Sequence, residues 1–105
     1  MRRLLLLSLL LPVPSLAAES EYLLVIQDHR FQPAQLIVPA GKKIRLTVAN
    51  RDATPEEFES YTLDREKVIP AKTKTMIYVG PLDPGPYPYY GEFHQKTAQG
   101  VVVAQ

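Results

Sequence analysis

The chain has 105 residues, with 12 Lys and Arg, 11 Asp and Glu, two His, ten Pro and no Cys. That length suits one domain, and 46% hydrophobic with 22% charged residues is the composition of a folded chain, not a disordered one. The absence of cysteine excludes disulfides, thiolate zinc or iron–sulfur sites, a cysteine nucleophile and any copper–thiolate bond. A transition metal would have to be held by carboxylates and by the imidazoles of His29 and His94.

Met1-Arg2-Arg3 is a basic start, Leu4 to Leu11 is apolar apart from Ser8, Pro12-Val13-Pro14 breaks the run, and Ser15-Leu16-Ala17-Ala18 offers small residues for cleavage. This is the layout of a secretory signal peptide over residues 1–18, cut after Ala17 or Ala18. The alternative is an uncleaved anchor, but the run is well short of the roughly 20 residues that cross a bilayer as a helix. The expected location is the periplasm, or outside the cell where there is no outer membrane. Cleavage removes Arg2 and Arg3, so residues 19–105 carry ten basic against eleven acidic residues, and this balance argues for neither nucleic acid nor an anionic membrane as partner.

Tyr22 to Ile26 is an apolar run of strand length. Leu36-Ile37-Val38 follows, then Pro39-Ala40-Gly41 as a turn. Ile44, Leu46 and Val48 alternate with Arg45, Thr47 and Ala49, the period-2 pattern of a half-buried strand. Ala53 to Glu59 has the N-cap and Pro of one helical turn, and Phe58 to Leu63 reads as a weaker strand. Thr73 to Val79 alternates again, with Met76 expected in the core. Asp83-Pro84-Gly85-Pro86 is a turn, Tyr87 to Tyr90 an aromatic strand, and Val101 to Val103 the last strand. About seven short strands without helical periodicity predict an all-β, Greek-key β-sandwich.

Three stretches in order carry a family resemblance. The first is Phe31-Gln32-Pro33 leading through Leu36-Ile37-Val38-Pro39-Ala40-Gly41 to the strand that ends at Asn50. The others are Pro55-Glu56-Glu57-Phe58, and Gly85-Pro86-Tyr87-Pro88-Tyr89-Tyr90-Gly91-Glu92-Phe93-His94. Together they resemble the cupredoxins, whose copper members have P-H-N-aromatic at the second stretch and G-x-Y-x-Y-x-C-x-x-H at the third. Three ligand places differ. Glu56 stands where the resemblance puts the first His, Gly91 where it puts the Cys and Thr97 where it puts the axial Met, so only His94 is kept.

A narrower resemblance rests on Asp28-His29-Arg30-Phe31-Gln32-Pro33, Glu57-Phe58-Glu59-Ser60, Arg65-Glu66-Lys67, Gly80-Pro81-Leu82 and Phe93-His94. These look like the cysteine-poor cupredoxin modules of bacterial iron-uptake systems, including EfeO-type domains and the cupredoxins that accompany an iron permease. The resemblance implies a copper or iron ion as cofactor or cargo, and a membrane iron permease or another periplasmic component as partner.

The cupredoxin fold implies that the loops bearing His29, Glu56 and His94 share one end of the sandwich. The candidate metal ligands are therefore His94, His29, Glu57, Glu59, Glu92 and Glu56. Two imidazoles with carboxylates form a donor set for Cu(II), iron, Mn(II) or Zn(II), and oxygen donors favour Fe(III) over Fe(II). Register with copper members points to Glu56, and likeness to the iron-uptake group points to Glu57 and Glu59. Glu92 precedes His94 by two, so an extended segment would aim both the same way. Each has an ordinary alternative: an exposed loop histidine, a turn residue, a solvated acidic loop. Asp28 and Asp52 read as turn-formers.

There is no nucleophile–base pair and no phosphate loop, so a hydrolase or transferase is not expected. The expected function is a metal-binding accessory to ferrous iron uptake, with assistance to Fe(II) oxidation left open. The alternatives are a metal-free module that docks a membrane partner, and a copper chaperone or resistance protein.

Overall fold

In the computed structural model, residues 20–105 are described. The signal peptide expected over residues 1–18 lies outside them. The described chain forms nine strands: β1 Ser20–Gln27, β2 Arg30–Gln32, β3 Gln35–Val38, β4 Ile44–Asn50, β5 Glu56–Ser60, β6 Arg65–Ile69, β7 Lys74–Val79, β8 Gly85–Gly91 and β9 Gln99–Ala104. A single 3-10 turn, Glu92–His94, sits between β8 and β9. Among the described residues no helix is long and apolar enough to cross a membrane.

The strands form two mixed sheets, the first in the order β2-β1-β4-β7 and the second in the order β3-β9-β8-β5-β6. β1 runs parallel to β4, with Leu24 beside Val48, and β3 runs parallel to β9, with Leu36 beside Val102. Alternation decides what each sheet buries. Ile44, Leu46 and Val48 of β4 are almost wholly buried, as are Ile77 and Val79 of β7, while their strand neighbours face out. The sheets close over this core as the β-sandwich that the sequence predicts.

At one end of the core three aromatic rings lock together. Phe31 meets Tyr89 edge-on at 4.9 Å between centroids, and Phe58 stacks on Tyr89 at 5.0 Å. Such pairs contribute about 0.5–1.5 kcal/mol beyond burial alone. Tyr89 therefore belongs to the core, whereas Tyr87 closes the preceding turn by donating its hydroxyl to Asp83 O at 2.8 Å.

Several local expectations are corrected. Residues 53–55 form no helical turn, and β5 begins at Glu56. Antiparallel pairing to β6 on one side and β8 on the other overrides the capping signal. The strand expected over Phe58 to Leu63 ends at Ser60, because Ser60 Oγ accepts from Leu63 N–H and turns the chain. β2 and β6 carry no apolar alternation, since β2 is three residues long and β6 is a charged edge strand. Met76 is not in the core: it is 47% exposed on the outer face of the first sheet, with the Arg45 guanidinium laid against its sulfur.

Candidate functional site

Each of the three aromatic strands places a residue of interest two positions from its core ring. Glu56 precedes Phe58, Gly91 follows Tyr89 and His29 precedes Phe31. A two-residue step along a strand keeps the same face, so Glu56 and Gly91 point inward above the aromatic cluster. His29 arrives differently. Gln27 pairs with Arg30, which leaves Asp28-His29 as a two-residue hairpin loop. Their φ angles of 53° and 56° are those of a type I′ turn, the form that suits strand twist.

Asp52 holds that turn from the adjoining loop. Its Oδ1 accepts from Asp28 N–H at 2.8 Å and its Oδ2 from His29 N–H at 2.9 Å. Burial pushes the Asp52 carboxyl up, but these two amides and the charges of His29 and Lys72 outweigh it and hold the carboxyl below its usual value. Asn50, 2% exposed, fixes the same loop by donating to Thr54 O at 2.9 Å and Ile69 O at 3.1 Å and accepting from Asp52 N–H at 3.0 Å.

The centre of the site is Glu56, whose side chain is 1% exposed. Its Oε1 accepts from Phe93 N–H at 2.9 Å and Glu57 N–H at 3.1 Å, and its Oε2 lies 2.5 Å from His94 Nδ1. Oε1 accepts from two amides, and with Oε2 accepting likewise Nδ1 is the donor and the other ring nitrogen, Nε2, is directed away from Glu56. The His29 ring stacks on His94, with centroids 3.5 Å apart and planes 12° from parallel. Its remaining polar contact is Thr54 Oγ1, 3.3 Å from Nε2. The loop carrying His94 is closed by Gly91 N–H to Ala98 O and Ala98 N–H to His94 O, both 2.8 Å.

The six candidate ligands thus separate into two groups. Glu56, His94 and His29 come together at the end of the sandwich. Glu57 and Glu59 project from the outer face of the second sheet, with carboxylate oxygens within 4.8 Å of each other and of Glu66. Glu92 lies beside Tyr90 on this outer side, near enough that it and Glu59 raise the Tyr90 hydroxyl, after burial. The expected alignment of Glu92 with His94 fails because the segment is a 3-10 turn, where residues two apart do not share a face. Glu66 is the acidic neighbour that sequence reasoning missed. It stands directly across β6 from Glu59, so a correct assignment of that strand would have found it.

Residues 3–104 match the family described as cupredoxin-like domain. The chain belongs to that family. A curated relative, the uncharacterized protein RP394 of Rickettsia prowazekii (strain Madrid E), is 46% identical over 83 residues, which are 79% of this chain and 66% of that protein. The chain therefore spans slightly less than two thirds of that relative's length. Among solved structures it resembles auracyanin A, a blue copper protein of Chloroflexus aurantiacus, with a TM-score of 0.69 and 12% identity over 81% of this chain and 98% of that one. It also resembles the metal-binding domain of the Cu(I)-exporting P-type ATPase CopA of Streptococcus pneumoniae, with a TM-score of 0.68 and 15% identity over 81% and 84%. At these identities the likeness is one of fold.

A copper–thiolate centre does not fit this cupredoxin. A Cβ at Gly91, where the sequence resemblance puts the Cys of copper members, would lie 2.6 Å from Glu56 Cδ, 2.8 Å from Glu56 Oε1 and 2.7 Å from Ala98 Cβ. The space for a side chain there is already filled by the Glu56 carboxylate. An imidazole and oxygen set fits better. His94 has the arrangement common in metal-binding histidines, with one nitrogen held by a carboxylate and the other outward. The two rings as stacked do not chelate one ion: lone pairs lie in the ring planes, and these planes are nearly parallel. His29 would have to turn out of the stack, and Thr54 is its one polar ring contact among the described residues.

Proposed function

We propose that this cupredoxin-like domain is a periplasmic metal-binding protein that captures copper or iron through imidazole and oxygen donors, as an accessory to ferrous iron uptake. The observation that carries the metal reading is the pairing of His94 with a fully buried carboxylate, beside a second imidazole. Glu56 orients the ring and is not itself a ligand in this reading. His94 Nε2 and His29 are the protein donors, with water completing the set. A bound ion would supply a Lewis-acidic or redox-active centre, and oxygen donors there would favour the ferric state over the ferrous. The iron-uptake role rests on the narrower resemblance of the sequence and on the absence of sulfur donors.

A second reading has a specific observation behind it. The rings are stacked on each other, Nδ1 of His94 is satisfied by Glu56, and no buried side-chain nitrogen or oxygen among the described residues lacks a partner. That closed arrangement favours a cupredoxin fold used as a docking module without metal. Calorimetric titration of the chelator-stripped protein with Cu(II), Fe(II), Fe(III) and Zn(II) separates the two. The metal reading expects binding tighter than about 100 µM, equivalent to roughly 5–6 kcal/mol, and its loss in His94→Ala. It fails if no metal binds at that level, or if His94→Ala binds as well as the parent.

A further inference from the structure

The near-neutral charge of residues 19–105 conceals a strong segregation. The outer face of the first sheet is built from three cross-strand rows over β1, β4 and β7: Glu21-Arg45-Tyr78, Leu23-Thr47-Met76 and Val25-Ala49-Lys74. Leu23 is 53%, Met76 47% and Tyr78 39% exposed, large apolar side chains gathered on one surface. The charges around them are mostly positive. Arg45 pairs with Glu21 at 2.8 Å and lies against Met76, Lys43 stands 4.6 Å over the Tyr78 ring, and Lys74 and Arg30 occupy outward positions.

The outer face of the second sheet is the opposite. Glu57, Glu59 and Glu66 bring their carboxylates within 4.8 Å of one another, and Glu92 stands near Tyr90. Arg65 and Lys67 of the edge strand β6 are exposed, but their register with the inward Ser60 and Phe58 puts them on the other side of the strand, and alternation leaves no Lys or Arg at the outward positions of β3, β5, β8 or β9. Ile37 and Val68, at 50% and 48% exposed, lie on the same surface. The carboxylates repel: a hydrogen bond with Glu57, and then its charge, hold the Glu66 carboxyl above its usual value. A surface of this kind gains from an external layer of cations.

The two faces belong to the same sandwich and look in opposite directions. Each is a sheet surface that carries exposed apolar side chains beside a cluster of charge mainly of one sign, and the two signs are complementary. We propose that the occupant of each is a second copy of this chain, the basic outer face of the first sheet of one copy seating on the acidic outer face of the second sheet of the next. The contact is heterologous, so it does not close on itself and assembly grows with concentration. Its specificity comes from charge, so salt weakens it. It depends on neither His29 nor His94 and stands apart from the metal reading.

The test is sedimentation velocity on the processed full-length protein, with a chelator present so that a shared ion cannot bridge copies. Concentrations from about 10 µM to about 1 mM cover the weak range expected of small polar contacts. Association is expected in about 20 mM salt, and at least tenfold weaker in about 500 mM salt, where the screening length falls several-fold. Lys43→Glu with Lys74→Glu, and separately Glu59→Lys with Glu66→Lys, should each sediment as monomer. Mixing the two variants should restore association, because a reversed basic face then meets a reversed acidic face. A monomer at every concentration in low salt overturns the proposal, as does association that salt leaves unchanged. If a charge-reversed variant fails to fold by circular dichroism, the salt series on the parent still decides.

Discussion

Removing the Glu56 carboxylate takes away the acceptor for three donors at once: the amides of Phe93 and Glu57 and the Nδ1–H of His94. A buried donor left without a partner costs about 1–3 kcal/mol. The two amides are only partly buried and the His94 side chain is 25% exposed, so water recovers some of this, and the low end applies to each. With a small cavity added, Glu56→Ala should cost about 3–4 kcal/mol, a large share of the 5–15 kcal/mol usual for a domain. Gly91→Ala should cost about 2–3 kcal/mol by overpacking. The two changes are coupled. Two of the three close approaches to a Cβ at Gly91 are to Glu56 atoms, at 2.6 and 2.8 Å, and the third is Ala98 Cβ at 2.7 Å. Truncating Glu56 removes the first two and leaves the third, so the double variant should be more stable than the sum of the single effects by at least about 1 kcal/mol. Urea unfolding of the four proteins, followed by circular dichroism, measures the cycle. Additivity within about 0.5 kcal/mol would refute the claim that Glu56 fills the space of the missing side chain, and a cost below about 1 kcal/mol for Glu56→Ala would refute its role as common acceptor.

Three other outcomes follow from local geometry. Gly100→Ala would put a Cβ within 2.4–2.5 Å of the Tyr89 ring, which Phe31 and Phe58 hold in place, so a loss of about 3 kcal/mol or more is expected in the same unfolding assay. The Asp52 carboxyl is depressed in the folded state, so its stabilising effect is complete above its unfolded value near 4 and is lost as pH falls through the folded value. Asp52→Asn should therefore melt lower than the parent at pH 7, with the gap shrinking toward about pH 3. Glu66 has the opposite sign. Its carboxyl is raised, so the folded state holds the proton more tightly and this residue lowers stability as pH rises through its titration. Glu66→Gln should raise the melting temperature at neutral pH and give no gain in acid, as differential scanning calorimetry can record.

The parts of the fold that were legible in the sequence are those where burial imposes a period. β4 and β7 alternate because one face is core, and Pro39-Ala40-Gly41 announces its turn because Gly41, at φ 74°, needs a residue without a Cβ penalty. β6 was hidden because an edge strand is selected for charge as well as for burial, and four of its five residues are exposed. Met76 misled because alternation fixes which residues share a face but not which face is inside. At the site, the family resemblance put the loops of His94, Glu56 and His29 at one end, but it left the choice among Glu56, Glu57 and Glu59 open, and the Glu56–His94 pairing is visible only in the structure. The stacking of His29 on His94 was not legible either, since it depends on a type I′ turn formed by Asp28-His29, residues that carry no glycine signal. Asp52, which braces both amides of that turn, read only as a turn-former for the same reason: its partners lie 23 and 24 residues away.

Filling the sulfur position with a carboxylate changes where chemistry is available, not only which donors supply it. In this chain the interior position beside Gly91 is held by Glu56 through three hydrogen bonds and is 1% exposed, so no ion enters there without breaking a satisfied buried carboxylate. The other ring nitrogen of His94, Nε2, is directed away from Glu56, and the His29 ring lies over the face of the same imidazole. In the metal reading proposed above, the donors are therefore at the rim of the sandwich. One of them, His29, has to leave a ring stack before it can share an ion. A rim site that must open suits uptake and hand-over of an ion better than electron transfer, which gains from a coordination sphere that does not move. The same geometry separates the two histidines in a titration. His94→Ala removes the anchored donor and should abolish binding. His29→Ala also removes the stack that competes with it, so its loss of affinity should be the smaller of the two. An equal or larger loss in His29→Ala would show that the hairpin histidine, and not the carboxylate-held one, is the principal ligand.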